Sequence, residues 1–247
     1  MNAARATLDV SAGRVTLYAP GLGTVGVTAA EVTWQETDGA GAAELVACLG
    51  EWAWGQQQLL RGVTVCRGTV VVTAWGAVLL AAISGSGASL TAAPLVLGGA
   101  SVLADGACPL VVADGTVTAL PGRSSLELDP AVAASWPHPD AVTPLGCGRP
   151  RALVEGTPVA GPTALTAVVL LRRGGGSGDA PLDPGRAAHL LACCLVPSLV
   201  HADRNHRAAA AQAIVAAVPV AEVSVADPPP AVARAVLETL AALGVAP

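Results

Sequence analysis

Residues 79–106 read LLAAISGSGASLTAAPLVLGGASVLADG, and this stretch decides the fold. Ala77–Ile83 is an unbroken apolar run, the pattern of a strand buried on both faces. A Gly-Ser loop, 84–87, follows it. Ser89–Leu97 then has the spacing of a helix, although Pro94 sits inside it and is expected to bend or shorten it by removing a hydrogen bond. Ser101–Ala104 returns to a strand, expected to end at Asp105. Strand, glycine loop, helix, strand is the order of a phosphate-binding α/β unit.

The pattern extends in both directions. Upstream, 1–37 reads as short strands around Gly-rich turns: Val15, Leu17 and Tyr18, then Val25 and Val27, then Val32 and Trp34. Residues 42–60 have helical spacing, with Leu45, Leu49 and Trp52 on one face. Two strand-like runs, Val63–Cys66 and Thr69–Thr73, are separated by Arg67-Gly68, which reads as a tight turn. Downstream, Asp114-Gly115 between Val111-Val112 and Val117–Leu120 is a hairpin signal. Residues 129–163 are Pro- and Gly-rich irregular structure containing strands. Leu165–Leu171 is a buried strand, and 172–181 (RRGGGSGDAP) is a flexible loop. Helices are expected at Pro184–Val200, Ala202–Ala217 and Ala231–Leu243, with a strand at Val220–Val225. The expected organisation is one α/β domain over 1–247: N-terminal strands and helix (1–60), loop core (61–128), and C-terminal strands and helices (129–247).

Composition narrows the function classes. The chain of 247 residues is 53% hydrophobic and 13% charged, the reverse of a disordered chain. With no Phe and one Met, its core is built from Ala, Val and Leu, with five Trp as the large anchors. A net charge of -5 argues against a nucleic-acid partner. VVVTAWGAVLLAAI is shorter than the ~20 residues a membrane helix needs, so no membrane span is expected. No signal peptide is visible, and a cytoplasmic location is expected. The six Cys form no CxxC pair and have no His at ligand spacing, which favours buried, reduced thiols. All 13 basic residues are Arg; the chain has no Lys.

That last fact bears on the loop. A P-loop, G-x-x-x-x-G-K-S/T, cradles phosphate oxygens on inward-pointing backbone N–H groups at a helix N-terminus. Its Lys carries charge to the transferring phosphate, and its Ser or Thr holds Mg²⁺. In that register Ala82 takes the first Gly position and Ala88 the Lys position, while Gly85, Gly87 and Ser89 fit. The candidate phosphate- or nucleotide-binding residues are therefore Ser84, Gly85, Ser86, Gly87, Ala88 and Ser89. Ser89 is either a Mg²⁺ ligand or a helix cap. Asp105 is either a catalytic base and Mg²⁺ ligand or a turn residue in Ala-Asp-Gly. With no Lys anywhere, only Arg can neutralise a phosphate. Arg61, Arg123, Arg172 and Arg173 are the candidates, with Arg149 and Arg151 beside them. His201, Asp203, Arg204, His206 and Arg207 form the densest polar patch of the second half. It reads as a solvated helix face with an Asp203–Arg207 pair.

The segment 77–128 resembles the core of the HPr kinase/phosphorylase-like family, which includes small kinase-like proteins of bacterial peptide natural-product pathways. Those chains show a strand, a GxSGSGKST loop, a helix, a strand ending in an Asp-Asp pair, a hairpin and a Pro-Gly turn. Here Asp105 matches the first Asp, Gly106 stands in the second Asp place, and Pro121-Gly122 matches the turn. ELVACLGEWAWGQQQLLRGVTV and HRAAAAQAIVAAVPVAEVSV look like the flanking elements, with Arg61 where many relatives have His. The resemblance implies a P-loop kinase core of HPr-kinase/PEP-carboxykinase-like type, with a mixed sheet and flanking helices. It also implies ATP with Mg²⁺, a peptide or protein partner docking near the 201–207 patch, and assembly into homo-oligomers. The departures at Ala88, Gly106 and Arg61 leave three expectations open: a pseudo-kinase or binding component, an active Ser/Thr phosphotransferase using Arg for Lys, or another reaction on the same scaffold.

Overall fold

The computed structural model describes residues 6–36, 42–83, 87–145, 151–173, 182–199, 204–225 and 228–245. In chain order its elements are β1 (Thr7–Ser11), β2 (Arg14–Ala19), β3 (Gly23–Thr28), β4 (Val32–Glu36), α1 (Ala42–Leu60), β5 (Thr64–Thr73), β6 (Gly76–Ala82) and α2 (Ala88–Leu97). They continue with β7 (Ser101–Ala113), β8 (Thr116–Ala119), β9 (Ser125–Leu128), α3 (Pro130–Ala133), β10 (Val142–Leu145), β11 (Arg151–Glu155) and β12 (Thr163–Arg172). The chain closes with α4 (Pro184–Cys194), α5 (Arg204–Ala217), β13 (Val220–Ser224) and α6 (Pro229–Ala242).

The central sheet has the order β13-β12-β6-β5-β7-β8 and is mixed: β12 runs parallel to β6 and β13, while β5 is antiparallel to both β6 and β7. β8 also pairs with the start of β12, so the sheet curls toward closure at that end. The apolar run of β6 lies at its centre with both faces covered. Leu79 and Ala81 pack among residues that include Leu191 of α4 and Ile214 of α5. Val78, Leu80 and Ala82 pack among residues that include Leu95 of α2 and Val236 of α6. This is a mixed α/β architecture with a strand, a glycine loop and a helix in the P-loop order. A separate antiparallel sheet, β1-β2-β3-β4, packs through Val25 and Val27 on Leu45 and Ala53 of α1. A third sheet, β10-β11-β9, flanks α3.

Two sequence expectations are corrected, and they are linked. Arg67-Gly68 is not a turn: β5 is one strand of ten residues. Asp105 is not at a strand end: β7 runs on to Ala113. Gly68 and Gly106 face each other across the β5–β7 ladder, at φ 154 and 81. A Cβ at Gly68 would overlap the Leu80 carbonyl, and one at Gly106 the Glu51 carboxylate. Both glycines admit close neighbours within a strand; neither breaks it.

The Asp114-Gly115 hairpin forms between β7 and β8, with φ 51 and 72 at the two turn residues. α2 runs its ten residues through Pro94. α4 is shorter than expected, because after Cys194 the chain turns extended and Leu195 bridges Cys66 of β5. The loop 174–181 lies outside the described residues. Among the thiols, Cys66, Cys108 and Cys194 are buried, but Cys193 is exposed. Cys147 and the Cys48 side chain lie outside the described residues. No described helix is long and apolar enough to cross a membrane.

Candidate functional site

Asp105 is the organising residue. Its carboxylate is fully buried in the middle of β7, and donors from four other segments converge on it. Thr69, its cross-strand partner on β5, donates its hydroxyl to Oδ1 at 2.6 Å. Ser89, in the first turn of α2, donates to the same oxygen at 2.9 Å. Oδ2 accepts from Arg123 Nη2 at 3.2 Å and from the Glu127 backbone N–H at 3.0 Å. The Pro121-Gly122 turn brings Arg123 there. Gly122 N–H donates to the Leu103 carbonyl and Asp105 N–H to the Arg123 carbonyl, so this segment runs alongside β7 where β8 does not reach. A side chain at Gly122 would press on Ala104 and Trp54, so the approach requires glycine.

Arg123 is shared among three carboxylates. Nη2 also lies 3.1 Å from Glu51 of α1, and Nη1 lies 3.1 Å from Glu127 of β9. Glu51 occupies the space that a side chain at Gly106 would need. The helix can lie this close because Gly55, one turn on, rests against Ala107. Glu51 thus sets a carboxylate from α1 against the backbone of Gly106. Burial pushes the Glu51 carboxyl above its ordinary range; Arg123 opposes the shift, and the charges of Asp105 and Glu127 add to it. The three carboxylates in turn hold the Arg123 guanidinium above its ordinary value, against the effect of its burial.

The other sequence candidates are placed as follows. Gly87 is the N-cap of α2, in the left-handed region at φ 93, and Ala88 begins the helix. Ser89 therefore does not cap; its hydroxyl faces Asp105. Ser84, Gly85 and Ser86 lie outside the described residues. Arg61 donates its Nε to the Ala29 carbonyl at 2.7 Å and is not among the residues gathered at Asp105. Arg172 pairs with Glu222 of β13, which also holds Arg186 of α4 at 3.1 Å. Arg173 is exposed beyond the end of β12. Arg149, His201 and Asp203 lie outside the described residues, as do the side chains of Arg151 and Arg204. Of the candidates, the structure gathers Ser89, Asp105 and Arg123. Sequence reasoning missed Thr69, Glu127 and Glu51. The available signal for Glu51 was a charge isolated in the apolar helical stretch LVACLGEWAWG.

No protein-family model matches this chain, and no curated protein does. Among the solved structures to which the chain is similar is the Hpr(Ser) kinase/phosphatase from Coxiella burnetii. Identity is 9%, covering 73% of this chain and 98% of that one, at a TM-score of 0.40.

The chemistry of the donor set can be tested against Mg²⁺ and ATP directly. A Mg²⁺ ligand must turn an oxygen lone pair to the ion. Both Asp105 oxygens already accept two hydrogen bonds each, and Ser89 is turned toward Asp105. Among the described residues, no group of three or more His, Cys, Asp and Glu is arranged to hold a metal ion. The cation at the meeting point of the three carboxylates is Arg123. At the lysine position, Ala88 offers a methyl group. Among the described residues this arrangement does not fit a Mg-nucleotide; it fits an ion-paired and hydrogen-bonded cluster that ties α1, β5, α2, β7 and β9 together.

Proposed function

We propose that this chain is a degenerate HPr-kinase-like protein, a pseudo-kinase that serves as a binding or tailoring component for a peptide or protein partner in bacterial natural-product biosynthesis. One observation carries the loss of phosphotransfer: the guanidinium of Arg123 bridges Glu51, Asp105 and Glu127, while Ser89 and Thr69 saturate the other oxygen of Asp105. A chain without Lys has no other residue type of comparable reach and charge than Arg for the γ-phosphate. Arg123, which bonds the Asp105 carboxylate, is engaged by three acids. The peptide-pathway role rests on the sequence resemblance of 77–128.

The test is ligand-induced stabilisation. A ligand present at 100 times its Kd adds ~2.7 kcal/mol, which moves the midpoint of a chain this size by several degrees. Millimolar Mg-ATP, ADP and pyrophosphate are expected to leave the melting temperature unchanged, while a precursor peptide encoded beside this gene is expected to raise it. A saturable shift with Mg-ATP overturns the pseudo-kinase assignment.

A second reading, an active phosphotransferase, is favoured by the Ser89–Asp105 contact, which joins the helix start to the acidic strand residue as a working P-loop site would. It requires Arg123 to leave the carboxylates for the phosphate. Phosphate release from ATP in the presence of the peptide, abolished by Arg123→Gln, would establish it.

A further inference from the structure

A cavity of about 460 Å³ opens at the far end of β5, between the end of α1, the extended segment after α4, and the start of α5. It is separate from the Asp105 cluster, and none of the residues gathered there lines it. Leu59, Val63, Val65, Leu195 and Val196 supply most of its wall. This size, with apolar walls and few polar groups, is typical of small-molecule sites.

Its one charged lining residue is a cation, and the other polar side chains on the lining are Thr64, Ser198 and His206. Arg207 lines the cavity half-buried, and His206 stands beside it, both in the first turn of α5. Arg207 has no ion-pair or hydrogen-bond partner among the described residues. A guanidinium held half-buried against apolar walls, with no counter-charge among the described residues, is favoured by an anion placed beside it. The α5 N-terminus adds partial positive charge in the same place.

The backbone of the wall says what the rest of the ligand must be. Val63 N–H already donates to the Gln58 carbonyl, and the Val65 carbonyl already accepts from Val196 N–H. The strand therefore offers little for an incoming peptide, whose own N–H and C=O groups would be stranded against apolar side chains. A ligand with an apolar chain and a single anionic head satisfies both parts of the site. We infer that this cavity binds an acyl-chain carboxylate, with the head on Arg207 and His206 and the chain along Val63, Val65 and Val196. This inference is independent of whether nucleotide binds at the loop.

Calorimetric titration of the full chain with decanoate tests it, with decanol and a free-carboxylate tripeptide of Val and Leu as comparisons. Saturable decanoate binding is expected, with decanol at least about tenfold weaker, as the loss of a charge-assisted contact implies. Arg207→Gln is expected to weaken decanoate about tenfold and leave decanol binding unchanged. Val196→Trp, which fills the cavity, is expected to abolish both, with native circular dichroism and a cooperative melt confirming the fold. The proposal is overturned if decanoate binds no better than decanol, if Arg207→Gln leaves decanoate affinity unchanged, or if the tripeptide binds more tightly than decanoate.

Discussion

Asp105→Asn separates a carboxylate kept for structure from one kept for chemistry. Asn has the size of Asp but one acceptor oxygen and one NH₂ donor. Arg123 Nη2 and Glu127 N–H can only donate, at 3.2 and 3.0 Å, so the amide oxygen must face them. The NH₂ then faces Thr69 and Ser89, whose hydroxyls can turn and accept. All four contacts survive in geometry, and the charge is what is lost. Hydrogen bonds to charged groups contribute about 1.5–3 kcal/mol, against about 1 for neutral ones. Arg123 retains Glu51 and Glu127, which limits the damage on its side. The expected cost is about 2–3 kcal/mol, a fall in melting temperature of about 5–10 °C for a chain of this length.

Asp105→Ala goes further, leaving Glu127 N–H and the two hydroxyls without their acceptor, and is expected to cost about 3–5 kcal/mol. Urea unfolding with matched m-values measures both. The opposite result would be informative. Carboxylates kept for catalysis are commonly held at the expense of stability, and their removal is then neutral or stabilising. If Asp105→Asn unfolds within about 0.5 kcal/mol of the parent, or above it, Asp105 is not a structural tie and the assignment of an internally paired cluster fails.

Three further outcomes follow from the same geometry. Gly106→Ala puts a Cβ into the Glu51 carboxylate at a positive φ, so it should cost about 1–3 kcal/mol; in a double-mutant cycle with Glu51→Ala the two effects should fall short of additive, and strict additivity would show that the two do not meet. Because burial raises the Glu51 pKa, the native state holds that proton more tightly than the unfolded chain. The parent therefore loses stability as pH rises from the unfolded value, about 4.3, through the raised native one, and Glu51→Gln does not. Melting curves from pH 4 to 8 should show the Gln variant gaining on the parent across that window; a Gln variant that loses ground to the parent as pH rises refutes the shift. Burial raises the thiols of Cys66 and Cys108 and pushes Cys194 up to about 11, so iodoacetamide at pH 8 should label exposed Cys193 and spare these three until urea unfolds the chain, as read by peptide mapping.

Most of the fold was legible from periodicity. The helix over 42–60 has its observed bounds, and the apolar run of β6 and the Asp114-Gly115 hairpin fall where the pattern puts them. The two failures within the central sheet share one cause. At Gly68 and Gly106 the sequence shows a glycine beside a charged residue, Arg67-Gly68 and Asp105-Gly106, which by local chemistry reads as a turn. What holds the chain extended there is tertiary: the ladder between β5 and β7, the Leu80 carbonyl against one glycine and the Glu51 carboxylate against the other. No local window contains that information, since Glu51 and Gly106 stand far apart in the chain.

The same limit governs the site. Sequence reasoning identified Ser89, Asp105 and Arg123 but gave them separate roles, as metal ligand, base and phosphate contact. Their meaning changes once Thr69, Glu127 and Glu51 are added, because each added group has a partner among the first three. An acidic centre that must admit Mg²⁺ needs carboxylates with free lone pairs, and a phosphate site needs a cation free of carboxylates. Arg123, within 3.2 Å of three of them, denies both requirements at once. An arginine fixed among acids stabilises the junction of helix and sheet only if no divalent ion competes for those acids, so Arg123 and a bound divalent ion are alternatives at this centre.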